Sequence, residues 1–177
     1  GQRISYEEMN AIGGSANIGS DGLTFIPFGN GVERIMRNKP VGAHLVGLDL
    51  LKHDKRHLVR ASQEGIVSAL TYGFRIMKDM GMNLQTVKAG HANMFLSPLF
   101  RKTFVHMNRV NLELYDTDGA QGAARGAGMG IGLFKSDSEA FEGLALLETL
   151  EPNTNFFEIY EEVYQNWESR LNSLIKN

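Results

Sequence analysis

Apolar and polar positions follow two rhythms along this chain, and the switches between them mark its elements. From Asp54 to Met80 the residues Leu58, Ala61, Val67, Leu70, Phe74, Met77 and Met80 fall at helical spacing, which predicts a long helix with those side chains on one buried face. Asp54 stands at the N-cap position and Gly81 at the stop. Ile4–Ile12 suits a short helix, and Ser97 followed by Pro98 opens another. Ala43–Leu48, Val87–Ala89 and Leu112–Tyr115 read as strands, while Leu23–Phe28 is an apolar run interrupted by Pro27 and followed by a Gly29–Asn30–Gly31 turn.

Gly119–Phe134 reads as a glycine- and alanine-rich helix in which Gly122, Gly126 and Gly130 form one flat face. Glycine inside a helix costs about 0.5–1 kcal/mol relative to alanine, so that face is expected to pack closely on the sheet. Two further helices are expected after it. The last starts at Asn155, with Glu158 in a capping-box-like relation, an apolar stripe of Phe156, Tyr160, Val163, Trp167, Leu171 and Leu174, and an acidic opposite face. It is read as a peripheral helix packed on the domain. Strands alternating with helices predict an α/β sheet. Only three or four strands are evident, which suggests that part of the domain is supplied from elsewhere.

The length of 177 residues suits one domain. With a net charge of -2 and no block of like charge, electrostatics give no reason to expect nucleic acid or a membrane surface. The absence of cysteine excludes disulfides and thiolate metal sites and fits a reducing compartment. No apolar run approaches the ~20 residues of a membrane span. The chain opens on Gly1, as a processed or truncated piece does.

Glycines cluster at two strand ends. Thr86–Asn93 runs from a strand through Gly90 toward Ser97, and Asn111–Tyr115 runs through Asp116–Thr117–Asp118–Gly119 into the glycine-rich helix. Such turns let a ligand approach backbone N–H groups at the carboxyl edge of a sheet. Familiar motifs fail here. Phe134–Lys135–Ser136 lacks the glycine a P-loop needs before its lysine, and Gly126–Gly132 holds no Gly-x-Gly-x-x-Gly. His53–Asp54–Lys55–Arg56–His57 imitates a zinc helix, but Asp54 as N-cap leaves His53 outside it, so a capping cluster is the better reading. Asp49, Asp116 and Asp118 are candidate carboxylate bases by type only, and turn geometry accounts for Asp116 and Asp118 equally well.

Taken together, four segments resemble the FGGY carbohydrate kinases. Ala43–Leu48 followed by His57–Leu58–Val59–Arg60–Ala61–Ser62–Gln63–Glu64 resembles the second signature of that family, with Gln63 where an apolar residue is expected. Phe25–Phe28 with Gly31–Val32–Glu33–Arg34 resembles its Leu-Pro-Tyr…Gly-Glu-Arg element, with Val32 inserted. Glu64–Leu70 resembles its Glu-Gly-Val-Ala-Phe-Ala-Leu helix, and Asp118–Ala124 its last glycine-rich turn. Their order favours the xylulose kinase branch.

The resemblance implies part of an actin-like ATPase (ribonuclease H-like) domain. Residues 1–134 would belong to the carboxy-terminal kinase domain and residues 135–177 to a helical extension packed on it. It implies a cytoplasmic enzyme that moves the γ-phosphate of Mg-ATP to a ketose hydroxyl, with D-xylulose as the expected sugar. This portion would supply the adenosine side of the ATP site, and the catalytic base would lie upstream, leaving the isolated chain inactive. The family's Gly-Gly-Gly-Ala turn maps onto Ala89, Gly90, His91 and Ala92, with Ala89 and His91 substituted and Met94–Phe95–Leu96 additional before Ser97. Ala89, Gly90, His91, Ala92, Asn93 and Gly119 are the nucleotide-binding candidates, and no protein residue is assigned to metal. His91 and Asn93 either meet the base or are ordinary turn residues, and both readings stay open. Two other readings stand beside the kinase: a nucleotide- or sugar-sensing module without chemistry, motivated by the altered turn, and an assembly domain built on the last helix. Apolar surface left uncovered by a partial domain predicts self-association, a homodimer among the forms.

Overall fold

In the computed structural model, residues 4–29, 36 and 38–176 are described. The expected turn at Asn30 and Gly31 and the Gly31–Arg34 part of the resemblance lie outside them. Helix α1, Tyr6–Gly14, starts where Ser5 caps it. The Ser5 hydroxyl accepts the Glu8 N–H at 3.2 Å, and the Glu8 carboxylate accepts the Ser5 N–H at 2.9 Å. Strands β1 (Thr24–Phe28) and β2 (Gly42–Val46) form an antiparallel pair with Thr24 opposite Val46. Pro27 is accommodated in β1, which has β2 as its sole ladder partner among the described residues.

The long helix α2 spans Lys55–Asp79 and is capped by Asp54, whose side chain accepts the Arg56 N–H at 2.9 Å. Its buried face differs from the expected apolar one. Ala61 and Val67 are buried, but Leu58 is 39%, Leu70 40% and Met80 73% exposed. The buried positions instead include Arg60, Gln63, Glu64, Ser68 and Thr71. Hydrophobic periodicity misses such a face because its polar groups are satisfied by one another and by backbone. Gly65 marks where α2 crosses β1: a β-carbon there would collide with the Phe25 carbonyl oxygen.

Strand β3 (Thr86–Gly90) leads through α3 (Pro98–Asn108) into the parallel strand β4 (Asn111–Tyr115), with Gly90 opposite Tyr115. Helix α4 (Gly119–Gly130) follows, then a four-residue helix α5 (Asp137–Ala140). The next element is strand β5, Leu146–Leu150, antiparallel to β4, so the sheet order is β3-β4-β5. A strand between two helices was not expected. Its residues are mostly exposed and show no burial alternation, so its position is set by β4 rather than by its own pattern.

Two expectations about packing are corrected. Gly122, Gly126 and Gly130 do not pack on the sheet, since a β-carbon at any of them would meet nothing within 4 Å. Gly128 is the tight one, against Phe134. Helix α6, Phe157–Lys176, is not peripheral. Its Tyr160, Tyr164, Trp167 and Leu171 are buried in one core with Ile26, Phe28, Val67, Phe100, Phe104 and Leu112, and Trp167 Nε1 donates to the Phe25 carbonyl at 3.0 Å. The helix is preceded by a 3-10 turn, Thr154–Phe156, capped by Asn153 rather than Asn155.

Candidate functional site

The parallel pairing of β3 and β4 sets their carboxyl ends side by side, and both glycine turns leave from that edge. His91 N–H donates to the Tyr115 carbonyl at 2.9 Å, and Thr117 N–H donates to the same oxygen at 2.8 Å. Ala92 N–H closes back on the Gly90 carbonyl at 2.8 Å. A β-carbon on Gly90 would lie 2.5 Å from the Thr117 carbonyl oxygen, so only glycine permits this contact between the turns. Thr117 Oγ1 is buried at the junction without a hydrogen-bond partner.

Of the six sequence candidates, Ala89 is a half-buried strand residue opposite Leu114. Gly90 and Ala92 are half-buried in the turn, whereas His91 and Asn93 are exposed. Asn93 has φ +51°, a left-handed conformation that asparagine tolerates better than most residues. Gly119 is the first residue of α4, with nothing within 4 Å of the position a β-carbon would take. Asp118 caps that helix, its Oδ1 accepting the Gln121 N–H at 2.9 Å. The structure thus gathers Gly90, His91 and Ala92 against the start of the Thr117–Gly119 turn, while Ala89 turns away into the sheet.

The additional Met94–Phe95–Leu96 forms a 3-10 turn with Asn93. Phe95 anchors it edge-on to Phe100 and Phe104, with ring centroids 5.3 Å and 5.5 Å apart, and the Phe95 carbonyl accepts Arg101 Nη1 at 2.8 Å. Asn93 and Leu96 open onto a groove of about 1690 Å³ that also borders Tyr6, Asn10, Gln63 and Tyr160. On the sheet, Tyr115 OH donates to Glu113 Oε2 at 2.7 Å, and Lys88 Nζ lies 3.7 Å from the same carboxylate. The bond to Glu113 holds the Tyr115 hydroxyl above its ordinary range.

Beneath the groove lies a buried charge pair that hydrophobic patterning missed. Arg60 Nε donates to Glu64 Oε1 at 2.8 Å, and Glu64 also accepts from Gly19 N–H at 3.0 Å and the Ser20 hydroxyl at 3.2 Å. Arg60 Nη1 donates to the Ala16 carbonyl at 2.9 Å. Burial raises the Glu64 pKa and outweighs the opposing pull of Arg60 and the hydrogen bonds. In the sequence the pair shows only as an i, i+4 spacing inside the signature-like segment His57–Glu64.

The histidine cluster is a capping device. His57 Nδ1 accepts the Asp54 N–H at 3.1 Å, and its Nε2 lies 3.0 Å from Asp21 Oδ2. His53 Nδ1 accepts the Asp49 N–H at 3.0 Å. Among the described residues no group of three or more histidines, aspartates or glutamates is placed to hold a metal ion. Of the aspartates considered as bases, Asp49 accepts the Leu51 N–H and Asp118 is spent on the α4 cap. No helix among the described residues is long and apolar enough to cross a membrane.

The rim suits a nucleotide. Gly90 removes side-chain bulk at the strand end, a buried threonine oxygen lacks a partner, and the first turn of α4 is open around Gly119. A magnesium ion brought in with ATP would be held by the nucleotide phosphates and water rather than by these turns.

No family model matches the chain. A xylulose kinase of Staphylococcus epidermidis is 27% identical over 170 residues, covering 93% of this chain and 34% of the relative. Among solved structures, the xylulose kinase of Rhodospirillum rubrum superposes with a TM-score of 0.77 at 20% identity, over 96% of this chain and 34% of that one. The glycerol kinase of Plasmodium falciparum with ADP superposes with a TM-score of 0.73 at 18% identity, over 96% and 34%. The chain therefore spans about a third of the length of the curated relatives it matches. It is homologous to FGGY-type sugar kinases and has part of their actin-like ATPase fold, with mixed helices and sheet.

Proposed function

We propose that this chain supplies the adenosine side of the ATP site of a xylulokinase-like sugar kinase, which transfers the γ-phosphate of Mg-ATP to a ketose hydroxyl. In this reading residues 1–134 belong to the carboxy-terminal kinase domain and residues 135–177 complete it. The observation that carries the proposal is the contact between the two turns, with Gly90 against Thr117 at the carboxyl ends of parallel strands. Ligands of open α/β sheets bind at that edge.

Charge favours the nucleoside end of ATP at this rim. Asp118 already places a carboxylate at the N-terminus of α4, and a second anion there is disfavoured by like-charge repulsion. Ribose hydroxyls are neutral donors and suit the carboxylate. Asn93, exposed at the groove, offers an amide to the base edge. The residues that would hold and activate the sugar are assigned to the remaining portion of the kinase. Positioning and charge stabilisation supply most of phosphoryl transfer, so this chain alone is expected to release no ADP with D-xylulose.

An amide NMR titration of the chain with Mg-ATP tests the assignment. Saturable shifts at Gly90–Asn93 and Gly119, weakened in Asn93→Gly, are expected. Glycine keeps the left-handed backbone and removes only the amide. Shifts elsewhere, or equal affinity in the variant, would overturn it.

A further inference from the structure

A second polar cleft lies at the other edge of the sheet. Helices α2 and α3 end just before β3 and β4 begin, and α6 packs alongside. The cleft is therefore roughly one strand length, about 17 Å, from the turns at the carboxyl ends. Its volume is about 590 Å³, within the range of small-ligand sites, and it shares no lining residue with the six turn positions.

Three cations converge on it. Arg75 is committed: its Nη2 donates to both oxygens of Glu161 at 2.9 Å and 2.7 Å, and its guanidinium lies 3.8 Å from the centroid of the Tyr164 ring. Lys78 and Arg109 are less occupied. Lys78 Nζ donates to the Asn108 main-chain carbonyl at 3.1 Å, leaving further ammonium donors. Arg109 reaches Glu161 at 3.4 Å through one nitrogen and its guanidinium lies 5.0 Å from the centroid of the Phe157 ring, but half of its side chain is exposed and its other guanidinium N–H groups have no partner among the described residues. Of the other carboxylates at the cleft, Glu168 accepts the Tyr164 hydroxyl at 2.8 Å, and Asp79 is exposed. Burial, then the charges of Arg109 and Arg75, hold the Lys78 ammonium below its ordinary pKa against the opposing pull of Glu161. The three cations of the cleft face three carboxylates, of which Glu161 is engaged by Arg75 and Arg109 and Glu168 by Tyr164.

Asn108 adds an independent observation. It borders this cleft and is 2% exposed. Its Nδ2 donates to the Phe104 carbonyl at 3.0 Å, but its Oδ1 is buried without a partner. A buried acceptor of this kind calls for a donor, while the spare ammonium and guanidinium hydrogens call for an anion. We propose that this cleft binds a hydroxylated phosphate monoester, the phosphate held by Lys78 and Arg109 and a ligand hydroxyl donating to Asn108 Oδ1.

The test is an amide NMR titration of the full chain with glycerol phosphate, inorganic phosphate and glycerol, repeated on Lys78→Gln and Arg109→Asn. Asparagine suits the φ of +57° at position 109, so the fold is retained while the guanidinium is lost. The expected result is saturable shifts around Lys78, Asn108 and Arg109, tighter for glycerol phosphate than for inorganic phosphate and absent with glycerol. Each variant should weaken binding by about tenfold or more, the loss of one charge-assisted hydrogen bond. Unchanged affinity in both variants, shifts scattered over unrelated lysines, or equal affinity for inorganic phosphate would overturn the assignment.

Discussion

Gln63 Nε2 donates to Asn10 Oδ1 at 2.8 Å, tying the middle of α2 to α1. The Ser97 hydroxyl joins them, 2.8 Å from Gln63 Oε1 and 2.9 Å from Asn10 Oδ1, while it accepts the Phe100 N–H as the cap of α3. Gln63 is the position where the FGGY signature has an apolar residue. Its polarity is matched by Asn10 and Ser97, so the departure belongs to a three-helix joint. Gln63→Leu should leave buried polar groups unpaired and lower stability by about 1–3 kcal/mol in urea unfolding. Adding Asn10→Leu should recover part of that loss. A single variant as stable as the parent would argue against the joint.

The buried pair of Arg60 and Glu64 gives a pH dependence of defined sign. The folded-state pKa of Glu64 is raised above its ordinary 4.5, so the folded chain binds this proton more tightly than the unfolded one. Its contribution to stability is fully present below pH 4.5 and is lost as pH rises through the raised folded value. In Glu64→Gln that component of the slope should vanish. Arg60→Ala leaves the carboxylate buried without its partner and should cost about 3–5 kcal/mol near neutral pH. Denaturant midpoints measured across pH for the parent and both variants check this, and identical profiles would contradict it.

How far the sequence reached depended on which physical term positioned each element. Capping chemistry is local, so Asp54 and Ser97 mark helix starts correctly, whereas the Ser5 cap of α1 was not singled out. The strands β3 and β4, and the turns that leave them, were legible from short apolar runs that lead into glycine-bearing turns. Strand β5 was not, because an exposed edge strand takes its place from a distant partner. The buried face of α2 was misassigned because Arg60, Gln63 and Glu64 count as polar in any periodicity, although partners from α1, α3 and the Gly19–Ser20 turn satisfy them. Contact between the turns needs Gly90 and Thr117, residues of different strands, and their juxtaposition is a tertiary fact. The second cleft left no motif, since its cations come from the ends of two different helices, α2 and α3.

The segment after Phe134 is expected to be indispensable. It contributes β5 and the core side chains Tyr160, Tyr164, Trp167 and Leu171. Truncation after Phe134 should abolish cooperative thermal unfolding, and Trp167→Ala alone should cost about 3–5 kcal/mol. A truncated chain that still melts cooperatively would contradict this and would favour an appended helical unit.

Apolar surface remains uncovered. Leu51 is 100% and Leu50 84% exposed in the loop before α2, and Ile131 and Leu133 are exposed after α4. Such surface promotes association. Light scattering should give a mass above the monomer that falls on dilution, with Leu50→Ser and Leu51→Ser reducing it if that loop is the contact. A clean monomer at high concentration would contradict the expectation.

In the proposed site the paired turns receive adenosine rather than the phosphate chain. The most direct test is to compare adenosine with tripolyphosphate, each titrated separately into the chain while the amides of Gly90, His91, Asn93 and Gly119 are followed by NMR. Adenosine alone is expected to shift these amides saturably, whereas tripolyphosphate should leave them in place. Shifts from tripolyphosphate alone, or none from adenosine, would contradict this assignment.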